Sequence, residues 1–382
     1  MAQLPPQLMD ELVDEVLLRL PPDDPASLIR AALVCRRWCR LFSDAGFRRR
    51  FSIFHRTPPM LGIYCCSAAV STFVRTSSCP SIADRHNFDV IDVRHGRVLQ
   101  TSCDFRGPWK KVLVVWDPIT DERTELPLLP ASWNLSVSAG WNASVLCANN
   151  GSCDHLDCNH GPFLVVVVIT VLEHIYVYTY SSEAGTWSKP VTAQDLGGGP
   201  INWHWRPNSA LVGNSLYVKF QYSNSFLKFD LATQGMSVIH PPTARHYEHT
   251  IVLVATEGDE LGFPNVENDK LYLWFENVGP DGHVGWAQSR FIDFKTVLPD
   301  KAYSKFDVVG FAHGVAILFL RVNDEIFTFD LKSCKVRYVC NDNGRMNDMF
   351  PYVSFYTPEI LGCNESDICH AFGIYETSTT YR

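Results

Sequence analysis

An all-β repeat of about fifty residues constrains this chain more than any other feature. Beyond about residue 60, short apolar stretches alternate with polar turn clusters: VLVVWDPITDERTEL, IYVYTYSSEAGTWS, FLKFDLATQGMSV, LYLWFENVGPDGHVGW and IFTFDLKSCKVRYV. Each reads as an alternating strand, a turn and a second apolar strand. Four carry an aromatic just before the turn, at Trp116, Tyr180, Phe229 and Phe329, with Phe275 a weaker fifth. The successive intervals are 64, 49, 46 and 54 residues. A period of this length in all-β sequence predicts a propeller, one four-stranded blade per repeat.

Six blades are favoured over five or seven. The sixth would be closed by the segment at residues 60 to 76 pairing with YVSFYTPEIL near the C-terminal end, which ties the ring and removes exposed edges. The long first interval contains NNGSCDHLDCNHGP, residues 149 to 162, which has no strand pattern and reads as an insertion at the edge of a blade. FLVVVVITVL, residues 163 to 172, is too short to span a bilayer, which takes about 20 residues, and its Val and Ile content predicts a strand buried on both faces. Asp117, Asp230 and Asp330 recur at the turns of the repeat, where a carboxylate bonds to nearby backbone. Trp203 and Trp205 of INWHWRP are read as core or blade-interface packing rather than a ligand grip.

The helical signal is confined to the first fifty residues. Leu8, Leu12, Val16, Leu17 and Leu20 recur at intervals of three and four, and Pro21 and Pro22 end that helix. Asp24 followed by Pro25 predicts a cap and first position for a second helix reaching about Ser43. On its wheel, Leu28, Ala31, Ala32, Val34, Cys35, Trp38, Cys39, Leu41 and Phe42 fill one half. Arg30, Arg36, Arg37 and Arg40 fall opposite, but Ile29 and Leu33 lie among them. Such a helix is apolar almost all round in its early course and needs cover from more than one side. Either the rest of the chain or a second polypeptide must supply it.

LMDELVDEVLLRLPPDDPASLIRAALVCRRWCRLF resembles the F-box, the module that docks on the Skp-type adaptor of SCF ubiquitin ligases. The opening apolar helix ending in Leu-Pro is matched by Leu8, Leu12, Val13, Val16, Leu17, Leu20 and Pro21. The Val-Cys-basic-x-Trp signature is matched by Val34, Cys35, Arg36 and Trp38, and the closing apolar positions by Leu41 and Phe47. Met9 stands where the family has proline. Further on, FRRRFSIFHRTPPMLGIY, DVRHGRVL, CDHLDC and VSFYTPEI resemble the large grass-type F-box family with a C-terminal propeller-like associated domain.

The resemblance implies a mainly β chain with a small all-α N-terminal module. Residues 1–7 would be a tail, 8–48 the F-box, 49–61 a linker and 62–382 the β-propeller that recognises a substrate. It further implies that Leu8, Leu12, Val13, Val16, Leu17, Leu20, Pro21, Leu28, Ile29, Leu33, Val34, Cys35 and Trp38 serve adaptor binding. Through the adaptor the chain would reach the cullin scaffold, and its propeller would hold a target protein for ubiquitination. No catalysis is expected of the chain itself. The alternative is a propeller acting as a small-molecule sensor or enzyme, with the F-box as a regulatory attachment.

A net charge of −8 argues against a general affinity for nucleic acid, and no membrane partner is expected. The opening residues lack the basic start and apolar run of a secretory signal, so a cytoplasmic or nuclear location is expected. The 13 cysteines are then reduced thiols, and the sequons at Asn134 and Asn142 are coincidental. Cys35 and Cys39, sharing an apolar face, read as small hydrophobes. Cys153, His155, Cys158 and His160 are zinc-competent ligand types within eight residues. One loop would have to wrap the ion alone, with only Cys147 at hand to help, so neither a metal nor any other cofactor is expected. HYEHT lacks the spacing of a zinc protease, GGGP at 197 to 200 lacks the Lys-Ser/Thr of a phosphate loop, and no GxSxG elbow is present.

Overall fold

The computed structural model describes residues 9–66, 71–76, 88–102, 112–130, 140–149, 153–194, 197–201, 209–221, 223–242, 252–255, 260–267, 270–278, 284–298, 306–341 and 348–357. Four helices come first: α1 (Asp10–Leu18), α2 (Pro25–Ala32), α3 (Arg36–Ser43) and α4 (Ala45–His55). Six blades follow around a ring, with a single short helix, α5 (Phe294–Val297), after the fourth.

Blade 1 pairs Phe88–Arg94, Arg97–Ser102, Leu113–Trp116 and Arg123–Glu125 in consecutive antiparallel order. Blade 2 runs Gly140–Cys147, Phe163–Val171 and His174–Ser181, and its outer strand is split into Thr186–Trp187 and Val191–Gln194. Blade 3 is Ser209–Val212, Ser215–Lys219, Phe226–Asp230 and Met236–Ile239. Blade 4 is Val254–Ala255, Leu261–Glu267, Lys270–Val278 and Val284–Asp293. Blade 5 is Phe306–Ala312, Ile317–Val322, Glu325–Asp330 and Val336–Asn341. Blade 6 joins the two ends of the chain: Asp348–Val353 is its inner strand and pairs with Met60–Cys66, which pairs with Ser71–Arg75. The expected closure is therefore present, with pairing that begins at Asp348, upstream of the tyrosine that opens YVSFYTPEIL.

Apolar burial follows this geometry. Each gap between neighbouring blades holds its own buried cluster, such as Val115, Val145 and Val165 between blades 1 and 2, or Leu273, Phe294 and Phe329 between blades 4 and 5. Phe163–Val171 lies inside blade 2 with seven of its nine side chains buried, as its unbroken apolar run predicts. The repeat aromatics all fall on the third strand of a blade. Trp116, Tyr180, Phe229 and Phe329 each pack toward the preceding blade. Phe275 packs toward the following one, so its weaker match reflects a side chain on the opposite face of its strand. The turn carboxylates behave as expected: Asp117, Asp230 and Asp330 each accept two backbone N–H groups two and three residues on. GGGP is a turn, with Gly197 and Gly199 at positive φ.

The helical module departs from the sequence expectation. A continuous helix from Pro25 to Ser43 does not form, because Cys35 is fully extended (φ −164°, ψ 162°) and separates α2 from α3. The break lets Leu28 and Ala32 on one side and Trp38 and Phe42 on the other face one core. A straight helix would have swung one pair outward. Cys35 thereby sits exposed while Cys39 is buried, so they do not share a face. Asp24 does cap α2, accepting from the Ser27 N–H at 3.3 Å, with Pro25 at the first turn. Asp44 caps a further helix rather than ending the module: its carboxylate accepts from the Phe47 N–H at 2.8 Å. α4 then buries Phe47 and Phe51 one turn apart against Phe42 and Val13. The boundary expected at residue 48 falls inside this helix, and the connector to blade 6 shrinks to Arg56–Pro59.

Candidate functional site

Three features converge near one end of the propeller: the outer face of the helical module, a funnel on the ring axis, and the loop after Cys147. On α1, Val13 and Leu17 are spaced one turn apart and point into the bundle, almost fully buried. Met9, Leu12 and Val16 occupy the other side and stand 65%, 46% and 56% exposed. At the α2–α3 corner Leu33 and Val34 are 36% and 63% exposed, Cys35 next to them is exposed, and so is Pro21 after α1. Leu20 and Trp38 are half-buried and pack on the bundle, and Leu28 is fully buried within it. Leu8 lies outside the described residues.

Ile29 behaves differently from its expected role. It inserts among Leu61, Tyr64, Trp116 and Tyr352, so the chain's own propeller covers it. In return Phe355, just past the inner strand of blade 6, packs on the bundle against Phe51. The cover that Ile29 lacked in its helix thus comes from this chain, whereas Leu33 and Val34 keep their open face.

The funnel is a cavity of about 620 Å³ on the ring axis, walled by the first turns of several blades and by Arg56 and Pro58 of the connector. Asp92 and Arg94 form its polar floor. The Arg94 guanidinium donates to both Asp92 oxygens at 3.1 and 3.0 Å, and to the carbonyl and hydroxyl of Ser209 at 2.7 and 2.9 Å. Asp92 also accepts the Val145 N–H at 2.9 Å. Inner strands of blades 1, 2 and 3 are thereby stitched through one ion pair. Burial pushes the Asp92 carboxyl up, against the downward pull of Arg94. Burial likewise drives His313 down to about 3, helped by the Arg94 charge. His95 shifts well down for the same first reason, with His155 and Arg94 adding to it. Both imidazoles are therefore neutral near pH 7, and the Arg94 and Asp92 charges oppose one another. This suits recognition of a polar group by hydrogen bonds. Asp92 has both oxygens committed and is poorly placed to act as a base.

These funnel residues were not singled out by sequence, although a signal exists. His-Gly occurs at 95–96 and again at 313–314, each time at the turn after a blade's first strand. Gly96 is required there: its φ is +72°, and an added Cβ would meet the Asn159 side chain at 2.9 Å.

The loop after Cys147 links the inner strand of blade 2 to the next strand. It rises beside the funnel and the helical module. Asp154 receives the Arg49 guanidinium of α4 in a two-pronged pair, one bond being 2.9 Å. His155 stacks near His95, ring centres 4.3 Å apart. The structure revises the expected ligand group. Sγ of Cys147, Cys153 and Cys158 and an imidazole nitrogen of His155 all lie within 4.8 Å of one another. His160 is not in that group, and its Nε2 lies 3.2 Å from the Asn159 amide. Trp203, Trp205 and HYEHT lie outside the described residues. Among the described residues, no helix is long and apolar enough to cross a membrane.

Comparison with known proteins agrees with this layout. Residues 6–50 match the F-box domain, and residues 89–360 match the family described as F-box protein AT5G49610-like, beta-propeller. No curated protein matches the chain. Among solved structures, the chain is similar to a protein from Lactobacillus plantarum (12% identity, 76% of this chain and 97% of that one, TM-score 0.37). It is also similar to the Malassezia sympodialis allergen Mala s 1 (10%, 67% and 79%, TM-score 0.40). A third is the Pseudomonas aeruginosa periplasmic gluconolactonase PpgL (10%, 78% and 99%, TM-score 0.38). Likeness of that degree assigns no activity to this chain. With a helical module matching the F-box and a six-bladed ring matching over most of the remaining length, the chain belongs to the F-box protein AT5G49610-like β-propeller family.

Proposed function

We propose that this protein is a substrate-receptor subunit of an SCF-type ubiquitin ligase, acting in the cytoplasm or nucleus. The F-box holds it on a Skp-type adaptor and so on the cullin scaffold, and the propeller holds a target protein. The carrying observation is the pair of open apolar faces on the helical module: Met9, Leu12 and Val16 on α1, and Leu33 with Val34 at the α2–α3 corner. Their opposite sides are already packed on the bundle or propeller, and the outer side chains lie outside the chain's own buried core. Apolar surface left open on a docking module is stabilised by a partner. F-box domains in general bind Skp1-type adaptors, which fits that chemistry.

In this role the protein makes and breaks no bond. It raises the effective concentration of a target's lysines near a charged ubiquitin-conjugating enzyme by holding both on one scaffold. The propeller is fixed to the F-box by Ile29, Phe355 and the Arg49–Asp154 pair, which supports a defined direction of presentation. Capture on an immobilised Skp-type adaptor tests the reading. Wild-type protein should be retained, and a Val34→Asp variant of equal fold should pass through.

The funnel supports a second reading, a small-molecule site at the F-box end of the ring. Its volume and its Arg94, His95 and His313 groups suit a compact polar ligand. Saturable thermal stabilisation by such a ligand, lost in a His95→Ala variant, would favour that role.

A further inference from the structure

We propose that Cys147, Cys153, His155 and Cys158 hold a structural zinc ion that fastens the loop segment at residues 153–162 between the propeller and the F-box helices. Cys147 ends the inner strand of blade 2, while Cys153, His155 and Cys158 lie in the loop that follows, Cys158 opening a 3-10 turn. Their ligand atoms nevertheless lie within 4.8 Å of one another. A tetrahedral zinc with bonds of about 2.3 Å to sulfur and about 2.05 Å to nitrogen has S–S edges near ~3.8 Å and S–N edges near ~3.5 Å. The Cys158 Sγ to His155 Nδ1 distance is 3.6 Å. The donor set is thus within a small contraction of the required geometry.

The chemistry selects the ion. Three thiols with one imidazole form a recognised structural zinc set, and four protein ligands leave no open position for substrate. Cys147 and Cys158 are buried, while Cys153 and His155 close the side facing the loop. The His155 N–H points to Cys153 Sγ at 3.4 Å, an outer contact that supports a thiolate ligand. Binding takes up Zn²⁺ and releases three thiol protons to solvent, leaving one negative charge on the site. Arg97 is placed to offset it. It is buried, donates to the Gly161 carbonyl, and exerts its charge on Cys158 and Cys147.

The loop also needs a fastening of this kind. It has almost no apolar side chains with which to pack itself, and His155 holds a left-handed φ of 56° that a non-glycine residue adopts at a cost. A metal bond between the strand end and the loop supplies both the closure and the strained ligand position. Because Asp154 sits between two of the ligands and grips Arg49, the ion also fixes α4 against the ring. This inference stands on the loop geometry alone and does not depend on the ligase reading.

The full chain, purified without chelator, tests it by elemental analysis and by cobalt exchange. About one zinc per chain is expected, with cobalt-loaded protein showing thiolate-to-cobalt charge transfer and a tetrahedral spectrum. Cys147→Ser should lower zinc to under about a tenth per chain, while His160→Ala should keep it. Folded wild-type protein that takes up neither zinc nor cobalt would overturn the proposal. So would iron in place of zinc, or zinc kept in Cys147→Ser and lost in His160→Ala. Should Cys147→Ser fail to fold, the wild-type cobalt spectrum decides, since only a site with several thiolates gives the charge-transfer bands.

Discussion

The Tyr352 hydroxyl donates a hydrogen bond to the Gly96 carbonyl at 3.1 Å, although the two residues are 256 positions apart. Tyr352 lies on the inner strand of blade 6 and Gly96 on the first turn of blade 1, so this bond crosses the joint where the ring closes. Both partners are buried. Tyr352→Phe keeps the ring packing against Tyr64 and Phe73 and removes only the donor, leaving a buried carbonyl without this bond. A loss of about 1–2 kcal/mol is expected. Denaturant unfolding should show a lower midpoint with an unchanged slope. An unshifted midpoint would mean that the carbonyl finds another donor.

A larger effect is expected at the funnel floor. Arg94 satisfies Asp92 and Ser209 together, joining blades 1 and 3. Arg94→Met leaves a buried carboxylate with only the backbone N–H groups of Val145 and Val93, and breaking a buried pair from one side costs ~3 kcal/mol or more. The double variant Asp92→Leu/Arg94→Met should recover much of that loss, because no charge is then stranded. Equal destabilisation of the single and double variants would show that the pair acts through packing rather than charge.

How much of this was legible in sequence depends on the range of the interaction. Blade repeats, third-strand aromatics and turn carboxylates are local patterns, and the chain carries them in full. Asp24–Pro25 likewise announced α2. The break at Cys35 left no local mark, since neither Gly nor Pro stands there and the core around Phe42 dictates it. Ile29 looked uncovered because its cover, Leu61 and Tyr352, is remote in sequence. The ligand group was misassembled for a related reason. Spacing along one loop favoured His160, while the strand end at Cys147 approaches only once blade 2 has formed.

Acid sensitivity provides a separate test of the funnel. His313 titrates at about 3 in the folded protein because burial, with Arg94 nearby, disfavours the imidazolium. In the unfolded chain it titrates near ~6.5. A depressed folded value means that the unfolded state binds more protons in this window. The stability involved is therefore complete above pH ~6.5 and falls away as the pH drops toward 3. His313→Gln removes this contribution. The difference in unfolding midpoint between pH 7 and about pH 5 should be smaller in the variant than in the wild type. Identical differences would show that His313 is solvated in the folded state. His95 shifts in the same direction and leaves a residual dependence.

The open face of the F-box module separates docking from folding. Leu12 and Val34 contribute apolar surface that the chain itself does not bury. Leu12→Glu and Val34→Asp should therefore leave the unfolding midpoint within about 0.5 kcal/mol of wild type. Each should weaken binding to a purified Skp-type adaptor by at least about tenfold, which is ~1.4 kcal/mol, because a carboxylate would be desolvated against an apolar partner. Trp38→Ala is less discriminating, since Trp38 also packs on the bundle and its loss lowers stability as well as binding. Leu172→Asp is the matched control. Leu172 is 96% exposed on a blade 2 turn, at the end of Phe163–Val171 opposite the loop that carries Asp154, and its substitution should change neither quantity. Calorimetric titration on the adaptor, with circular dichroism on the same samples, measures both. Undiminished binding by Leu12→Glu and Val34→Asp together would remove the helical module as the docking surface.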